Sequence, residues 1–341
     1  ANRYSFADLA YLVGAGAAAR EFLPPEAARL QQLCAYGQRL LDLDAEDFEN
    51  PDAAADGHTD GRMVGLTGGT LVPRHLIERG RQCRMRQSPD EQPRAALTSL
   101  RPTFRLLLEV IEARWRRRET AALVAAVHMA SEYAALLAWE PLLGHAGDPA
   151  ELGADPSFTG PQSRWGHFDD HECPHTAPQK SAANRSLHVA NEPPSGWRTY
   201  LDRQHSVIAQ ALSVCAVDCR APCVVVTTRT PQQRHDIAEA CRIAQAFGQC
   251  ALVRLRHAAP VGHGFGVPSP AEVLEAWERS RLGLARRGGL GASVLAMDGF
   301  PLTGLPSLLS AIGATPLTPD TLLHDTAAAI VSILEPQEVR A

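Results

Sequence analysis

The sequence predicts a chain that is mainly α-helical over its N-terminal two-thirds, with a His/Cys-rich loop in the later part of that stretch, and that ends in an α/β segment of β-α-β-α-β order. Three observations predict it. Apolar residues recur at helical spacing in several segments between Pro25 and Trp139, residues 144–195 lack clear periodicity, and after Pro222 short apolar runs, the first of them β-branched, alternate with helical patterns. The domains expected are a helical one over 1–144, the loop with a ligand-bearing helix over 145–222, and the α/β segment over 223–341.

In chain order, Leu9–Ala19 (LAYLVGAGAAA) has the length of a signal-peptide core, but Asp8 precedes it and only Arg3 supplies a basic start, so it reads as a first helix. Pro25–Leu43 and Pro73–Met85 are the next helices, with the loop composition of ENPDAAADGHTDG between them. Two more run from about Leu97 to Arg118 and from about Glu119 to Trp139; the second is apolar on most of its circumference and so reads as buried, with Pro141 and Gly144 as its stop. Residues 144–195 turn Gly-, Pro-, His- and Asp-rich, and a loop of that length is more often functional than a mere connection. Trp197–Val214 regains helical spacing. Beyond Pro222, Cys223–Thr228 reads as a strand, Pro231–Phe247 as a helix, Ala251–Leu255 as a strand, Pro270–Arg287 as a helix and Ala292–Met297 as a strand, with a closing helix over Pro319–Leu334. No repeat is evident at periods of 20–50 residues.

Composition bounds the function. The 341 residues are 45% hydrophobic, 21% charged and 6% aromatic, which is globular and not disordered. A net charge of −5 offers no global field for nucleic acid or an anionic membrane. Lys180 is the only lysine and lacks a Gly-rich approach, which argues against a Walker phosphate loop and a pyridoxal Schiff base. No run of 18 apolar residues appears, so no membrane span is expected. Eight cysteines are too few for a disulfide scaffold, and without an export signal the expected compartment is the cytoplasm, with thiols available for metal work.

The strongest chemical signal is the crowding of His167, His171, Cys173, His175, His188, His205, Cys215, Cys219 and Cys223 into residues 167–223: nine of the chain's His and Cys, where even spreading would give about three or four. Imidazole and thiolate are the protein ligands of zinc, iron and copper, so a metal or cofactor site is expected, against the plainer reading of a His-rich surface loop beside buried cysteines. His171-Glu172-Cys173-Pro174-His175 matches H-E-x-x-H, the zinc-hydrolase pattern in which two histidines one helical turn apart hold the metal and the glutamate activates its water. Pro174 and Pro178, with Gly166, bracket a segment too short for the long helix that motif needs, so a non-helical His/Cys metal loop fits better. Cys215, Cys219 and Cys223 recur every four residues, which matches neither the C-x-x-C knuckle of structural zinc sites nor common iron–sulfur runs. They read either as buried packing or as a zinc shared with Cys173 and His175.

His128 and Glu132, one turn apart on the apolar helix, could form a metal half-site, an acid/base pair, or a mutually satisfied polar pair. No second E-x-x-H is present to complete a di-iron bundle. A further histidine has a specific setting: in Trp197-Arg198-Thr199-Tyr200-Leu201-Asp202-Arg203-Gln204-His205, followed by Ser206-Val207-Ile208-Ala209-Gln210, an aromatic and basic approach delivers one imidazole and continues with aliphatics. This stretch resembles the proximal-histidine helix of tryptophan 2,3-dioxygenase and the related bacterial heme-dependent tyrosine hydroxylases. The resemblance implies heme as cofactor, His205 as its axial ligand, and Trp197, Arg198 and Arg203 beside the porphyrin or meeting its propionates. The family's distal-histidine motif has no counterpart here, and its all-helical fold does not account for the α/β tail.

Smaller signals are a Gly262–Gly266 loop that does not open a helix after a strand, Asp298 at the end of an expected strand, and the Arg114–Arg118 run, which reads as a solvated helix end. The leading expectation is a heme-dependent hydroxylase or oxygenase acting on an aromatic amino acid or related small molecule, with His128, Glu132 and His175 as candidate proton-moving residues. The alternatives are a zinc-dependent hydrolase built on His171, Glu172 and His175, and a non-enzymatic, metal-stabilised interaction module. A small-molecule substrate is the expected partner, nucleic acid and membrane are not, and a homo-oligomer is left open.

Overall fold

The structure is a computed structural model; it describes residues 4–18, 24–43, 71–83, 99–147, 149–165, 174–187, 196–220, 222–258, 264 and 266–335. Its α-helices are α1 (Phe6–Ala18), α2 (Pro24–Asp42), α3 (Arg74–Cys83), α4 (Arg101–Arg116), α5 (Thr120–Leu143), α6 (Pro149–Ala154), α7 (Pro156–Thr159), α8 (Ala177–Leu187), α9 (Gly196–Val217), α10 (Val224–Thr227), α11 (Pro231–Gly248), α12 (Ala251–Leu255), α13 (Pro270–Ala285), α14 (Leu305–Ile312) and α15 (Leu322–Leu334). They fall into two compact units. The first holds Ala1–Arg84, Arg105–Arg117 and Pro319–Ala341; the second holds Met85–Phe104 and Arg118–Thr318.

In the first unit, α2 places Leu30, Leu33, Leu40 and Leu41 on one apolar stripe that buries against Leu76 of α3, Val110 of α4 and Ile330 of α15. The Tyr36 hydroxyl, on the same helix, donates to the Leu76 carbonyl at 2.7 Å, which satisfies it inside the core. α15 is tied at its start. Glu109 of α4 accepts from the backbone N–H groups of Leu323 (3.0 Å) and His324 (2.9 Å), two of the four amides that a helix N-terminus leaves without an internal acceptor. Arg79 of α3 pairs with Asp320 and, at 2.5 Å, with Asp325.

In the second unit α5 is the central element, packed against α9, α11, α12 and α14. Val127, Ala130, Ala135, Leu136 and Trp139 are among its buried residues, spread around the helix as its all-round apolar sequence requires. By length and composition α5 could cross a membrane, yet 61% of its most apolar 18-residue window is buried inside the protein. Of the two expected stops, Pro141 stays within the helix and Gly144 terminates it in the left-handed conformation, φ 79°. α11 and α13 start as the sequence dictates, each with a capping box (Thr230 with Gln233, Ser269 with Glu272) and proline in the first turn.

The expected β-α-β-α-β tail is not there, and no strand occurs among the described residues. The run expected as a first strand, Cys223–Thr228, contains the single turn α10; Ala251–Leu255 is helix α12, continued by a 3-10 turn at Arg256–Ala258; and most of Ala292–Met297 lies in a 3-10 segment, Gly289–Leu295. An apolar run of four to six residues has the same pattern in a buried strand and in one buried helical turn, and here packing chose the turn. Leu252 and Val253 are buried, and the Leu252 amide is met by Ser280 Oγ of α13 at 3.0 Å, a side-chain partner where a sheet would supply a strand carbonyl. Asp298 therefore ends no strand. It organises the entry to α14, accepting from Phe300 N (3.2 Å), Gly304 N (3.0 Å) and Ser307 Oγ (3.1 Å). The stretch read as aperiodic also contains helix: α6, α7 and α8 lie within it.

Candidate metal centre

His175 reaches the core of the second unit because the start of α8 is fixed next to it. Thr176 and Gln179 cap that helix reciprocally: Thr176 N–H donates to Gln179 Oε1 at 2.9 Å, and Gln179 N–H to Thr176 Oγ1 at 3.4 Å. His175 directly precedes this cap and is 5% exposed. Pro174–Thr176 is irregular, so the second histidine of H-E-x-x-H lies outside a helix, while His171 and Glu172 lie outside the described residues.

The cysteines come from the end of α9. Cys215 lies in its last turn; Cys219 lies two residues past the last helical residue, Val217, its N–H donating to the Val214 carbonyl at 3.1 Å. A four-residue spacing sets both thiols on the same side of the chain. Cys223 lies beyond Pro222 as the N-cap of α10, its carbonyl accepting from Val226 N at 2.8 Å. Cys215 and Cys223 are buried and Cys219 is half-buried.

These elements bring His175, Cys215 and Cys219 together, with one ligand atom of each within 4.8 Å of the others. Cys219 Sγ is 3.6 Å from His175 Nδ1, and Cys215 Sγ is 3.5 Å from Nε2. Cys223 joins through Cys215, Sγ to Sγ 3.4 Å. Nε2 is also 2.9 Å from the Ala211 carbonyl, which only accepts, so Nε2 carries the proton and Nδ1 presents its lone pair toward Cys219. In tetrahedral zinc, Zn–S bonds of ~2.3 Å and Zn–N bonds of ~2.0 Å place sulfur and nitrogen about 3.6 Å apart and two sulfurs about 3.8 Å apart. The Cys219 Sγ–Nδ1 spacing of 3.6 Å is of that size, while Cys215 Sγ lies beside the other nitrogen at 3.5 Å and 3.4 Å from Cys223 Sγ. Contacts with the Cys219 and Cys223 thiols, and then burial, hold the Cys215 thiol well above its ordinary pKa, so a metal entering this site displaces protons.

The other expected site residues are distributed differently. His128 of α5 faces Glu132 at 3.2 Å and also meets Arg256, while its Nδ1 is buried without a hydrogen bond. Among the described residues only His175, Cys215 and Cys219 converge as three or more candidate ligands, so His128 and Glu132 form a polar pair with Arg256 and are not brought to the thiols. The backbone of Trp197, Arg198, Arg203 and His205 lies in α9, but their side chains are outside the described residues, as are His167, His171, Cys173 and His188 entirely. Most of Gly262–Gly266 is outside them too.

Sequence reasoning missed Arg256 as the partner of His128, for which a separation of 128 residues leaves no local signal. It also missed Glu109, whose signal was a lone carboxylate within the apolar run LLLEVI. Comparison with family models, curated proteins and solved structures finds no match for this chain. The resemblance of Trp197–Gln210 to heme-dependent aromatic oxygenases therefore rests on those residues alone.

Proposed function

We propose that the second unit is a zinc-stabilised helical module in which His175 Nδ1 and the thiolates of Cys215 and Cys219 hold one zinc ion, with Cys223 turning onto it as the fourth ligand. The observation that carries this reading is the mutual approach of His175, Cys215 and Cys219 within 4.8 Å, with the far nitrogen of the imidazole committed to a backbone carbonyl. Four protein ligands leave no open position for water or substrate, so the metal ties α8, the end of α9 and α10 together and the module's role is structural, presenting helical surface to a partner. A soft ligand set of three thiolates and one imidazole favours zinc over magnesium or calcium.

The test is metal analysis and an absorption spectrum of the purified protein, followed by chelation and titration with zinc alone. The expected result is one zinc per chain, restored after chelation, in a colourless protein. Iron with a strong band near ~400 nm would replace this reading with the heme oxygenase, with His205 as the residue to mutate.

A further inference from the structure

The three thiols differ in access: Cys215 and Cys223 are each 1% exposed, whereas Cys219 is half-buried and lies just past the last residue of α9. Cys215 is the sulfur they share, touching Cys223 at 3.4 Å and lying in contact with Cys219. An oxidant reaching this centre therefore meets Cys219 first, with a second thiol already beside it. The end of the helix matters here, because Cys219 lies beyond the last helical residue, its N–H meeting the Val214 carbonyl and its sulfur lying 3.6 Å from His175 Nδ1.

Building on the zinc reading, we infer that Cys219 is a peroxide-sensitive modification site whose oxidation onto Cys215 discharges the metal. The Cys219 thiolate attacks a peroxide oxygen: the S–O bond forms, the O–O bond breaks and hydroxide leaves. The Cys215 thiolate then attacks the Cys219 sulfur, the S–S bond forms and the second hydroxide leaves. The two thiolates supply the two electrons that reduce the peroxide. Zinc loses two of its four ligands in one event, which His175 and Cys223 alone do not replace, and reduction of the disulfide by a dithiol restores the site.

The experiment uses the full chain loaded with zinc and treated with hydrogen peroxide, with released zinc read by a chromogenic chelator and disulfides mapped after trypsin. The sequence makes the mapping unambiguous. Cleavage after Arg203, Arg220 and Arg229 puts Cys215 and Cys219 in one peptide, residues 204–220, and Cys223 in the next, residues 221–229. The expected result is stoichiometric zinc release together with loss of two hydrogens within peptide 204–220, both reversed by dithiothreitol. A cross-link between the two peptides, or to a peptide carrying another cysteine, overturns the Cys219–Cys215 assignment. Zinc retained at peroxide concentrations that oxidise an exposed thiol overturns the inference and leaves the zinc reading standing, whereas failure to load zinc at all overturns that reading first. Brief alkylation of the zinc-loaded protein provides an independent check, with Cys219 expected to label at least tenfold faster than Cys215 or Cys223.

Discussion

His175 Nε2 lies 2.9 Å from the carbonyl oxygen of Ala211, and that contact decides which nitrogen of the imidazole presents a lone pair to a metal. Ala211 is one helical turn before Cys215 on α9, so the same helix that carries a thiol ligand also orients the histidine. Long-range 1H–15N correlation spectra of the metal-free protein should show the His175 proton on Nε2, and zinc should shift the Nδ1 resonance and not Nε2. A proton on Nδ1, or a zinc-induced shift at Nε2, would reverse the ligand assignment.

Zinc bound to the native state alone stabilises it by mass action, by about 2.7 kcal/mol when free zinc is 100-fold above Kd. For a unit of this size that corresponds to a rise in Tm of roughly 5–10 °C. Chelation should therefore lower the melting transition of the second unit by that amount and leave the transition of the first in place, since the candidate ligands all lie between Arg118 and Thr318. Equal melting curves with and without chelator would show that the cluster is packing only.

The H-E-x-x-H match and the cysteine cluster share His175, and ligand-by-ligand substitution separates them. Cys215→Ser should reduce zinc stoichiometry below half, because Cys215 contacts both other thiols. His171→Ala, Glu172→Gln and Cys173→Ser should each keep about one zinc per chain, the four ligands being complete without them. Loss of metal in His171→Ala, with Cys215→Ser unaffected, would transfer the site to the hydrolase motif.

Where a helix announces itself by local chemistry, the chain was legible. Pro231 and Pro270 begin α11 and α13, and their capping boxes, Thr230 with Gln233 and Ser269 with Glu272, are readable as residue types three apart. Cys223–Thr228 reads as a strand on its β-branched content, and Ala251–Leu255 and Ala292–Met297, with one valine each, as short apolar runs between helices; the fate of such runs depends on neighbours such as Ser280 that lie elsewhere in the chain. The site divides in the same way. The four-residue spacing of Cys215 and Cys219 is local and visible, and His175 was in view as a candidate. That His175 reaches the thiols and His128 does not is decided by how α8 packs on α9, which no local spacing encodes.

Gly304 is required by both its conformation and its surroundings. Its φ is +85°, and a Cβ built on it would lie 1.7 Å from the Val294 carbonyl oxygen, a backbone atom that cannot rotate away. Gly304→Ala should destabilise the second unit by at least ~2 kcal/mol, combining the left-handed penalty with displacement of the 3-10 segment that precedes it. Urea denaturation should show a lower midpoint at unchanged slope. A midpoint within error of the parent would mean that Val294 and the Asp298 loop shift freely.

The buried Glu109 makes the first unit sensitive to pH near neutrality. Burial raises its pKa from 4.5 to about 7, only partly offset by the Leu323 and His324 amides that it accepts from. The folded state then binds a proton more tightly than the unfolded chain between about pH 4.5 and 7, so this residue's contribution makes stability fall as pH rises through that window. The effect is on the order of 1–3 kcal/mol across it. Below the window both states are protonated, above it both are ionised, and the contribution is flat at each end. Glu109→Gln should remove the slope while costing one of the two bonds at the start of α15, because the amide nitrogen cannot accept from a backbone N–H. Chemical denaturation of the parent and the variant from pH 4 to 8 reads both effects: a parent whose stability rises through this window, or a variant that keeps the parent's slope, would show that Glu109 is ionised throughout in the folded protein.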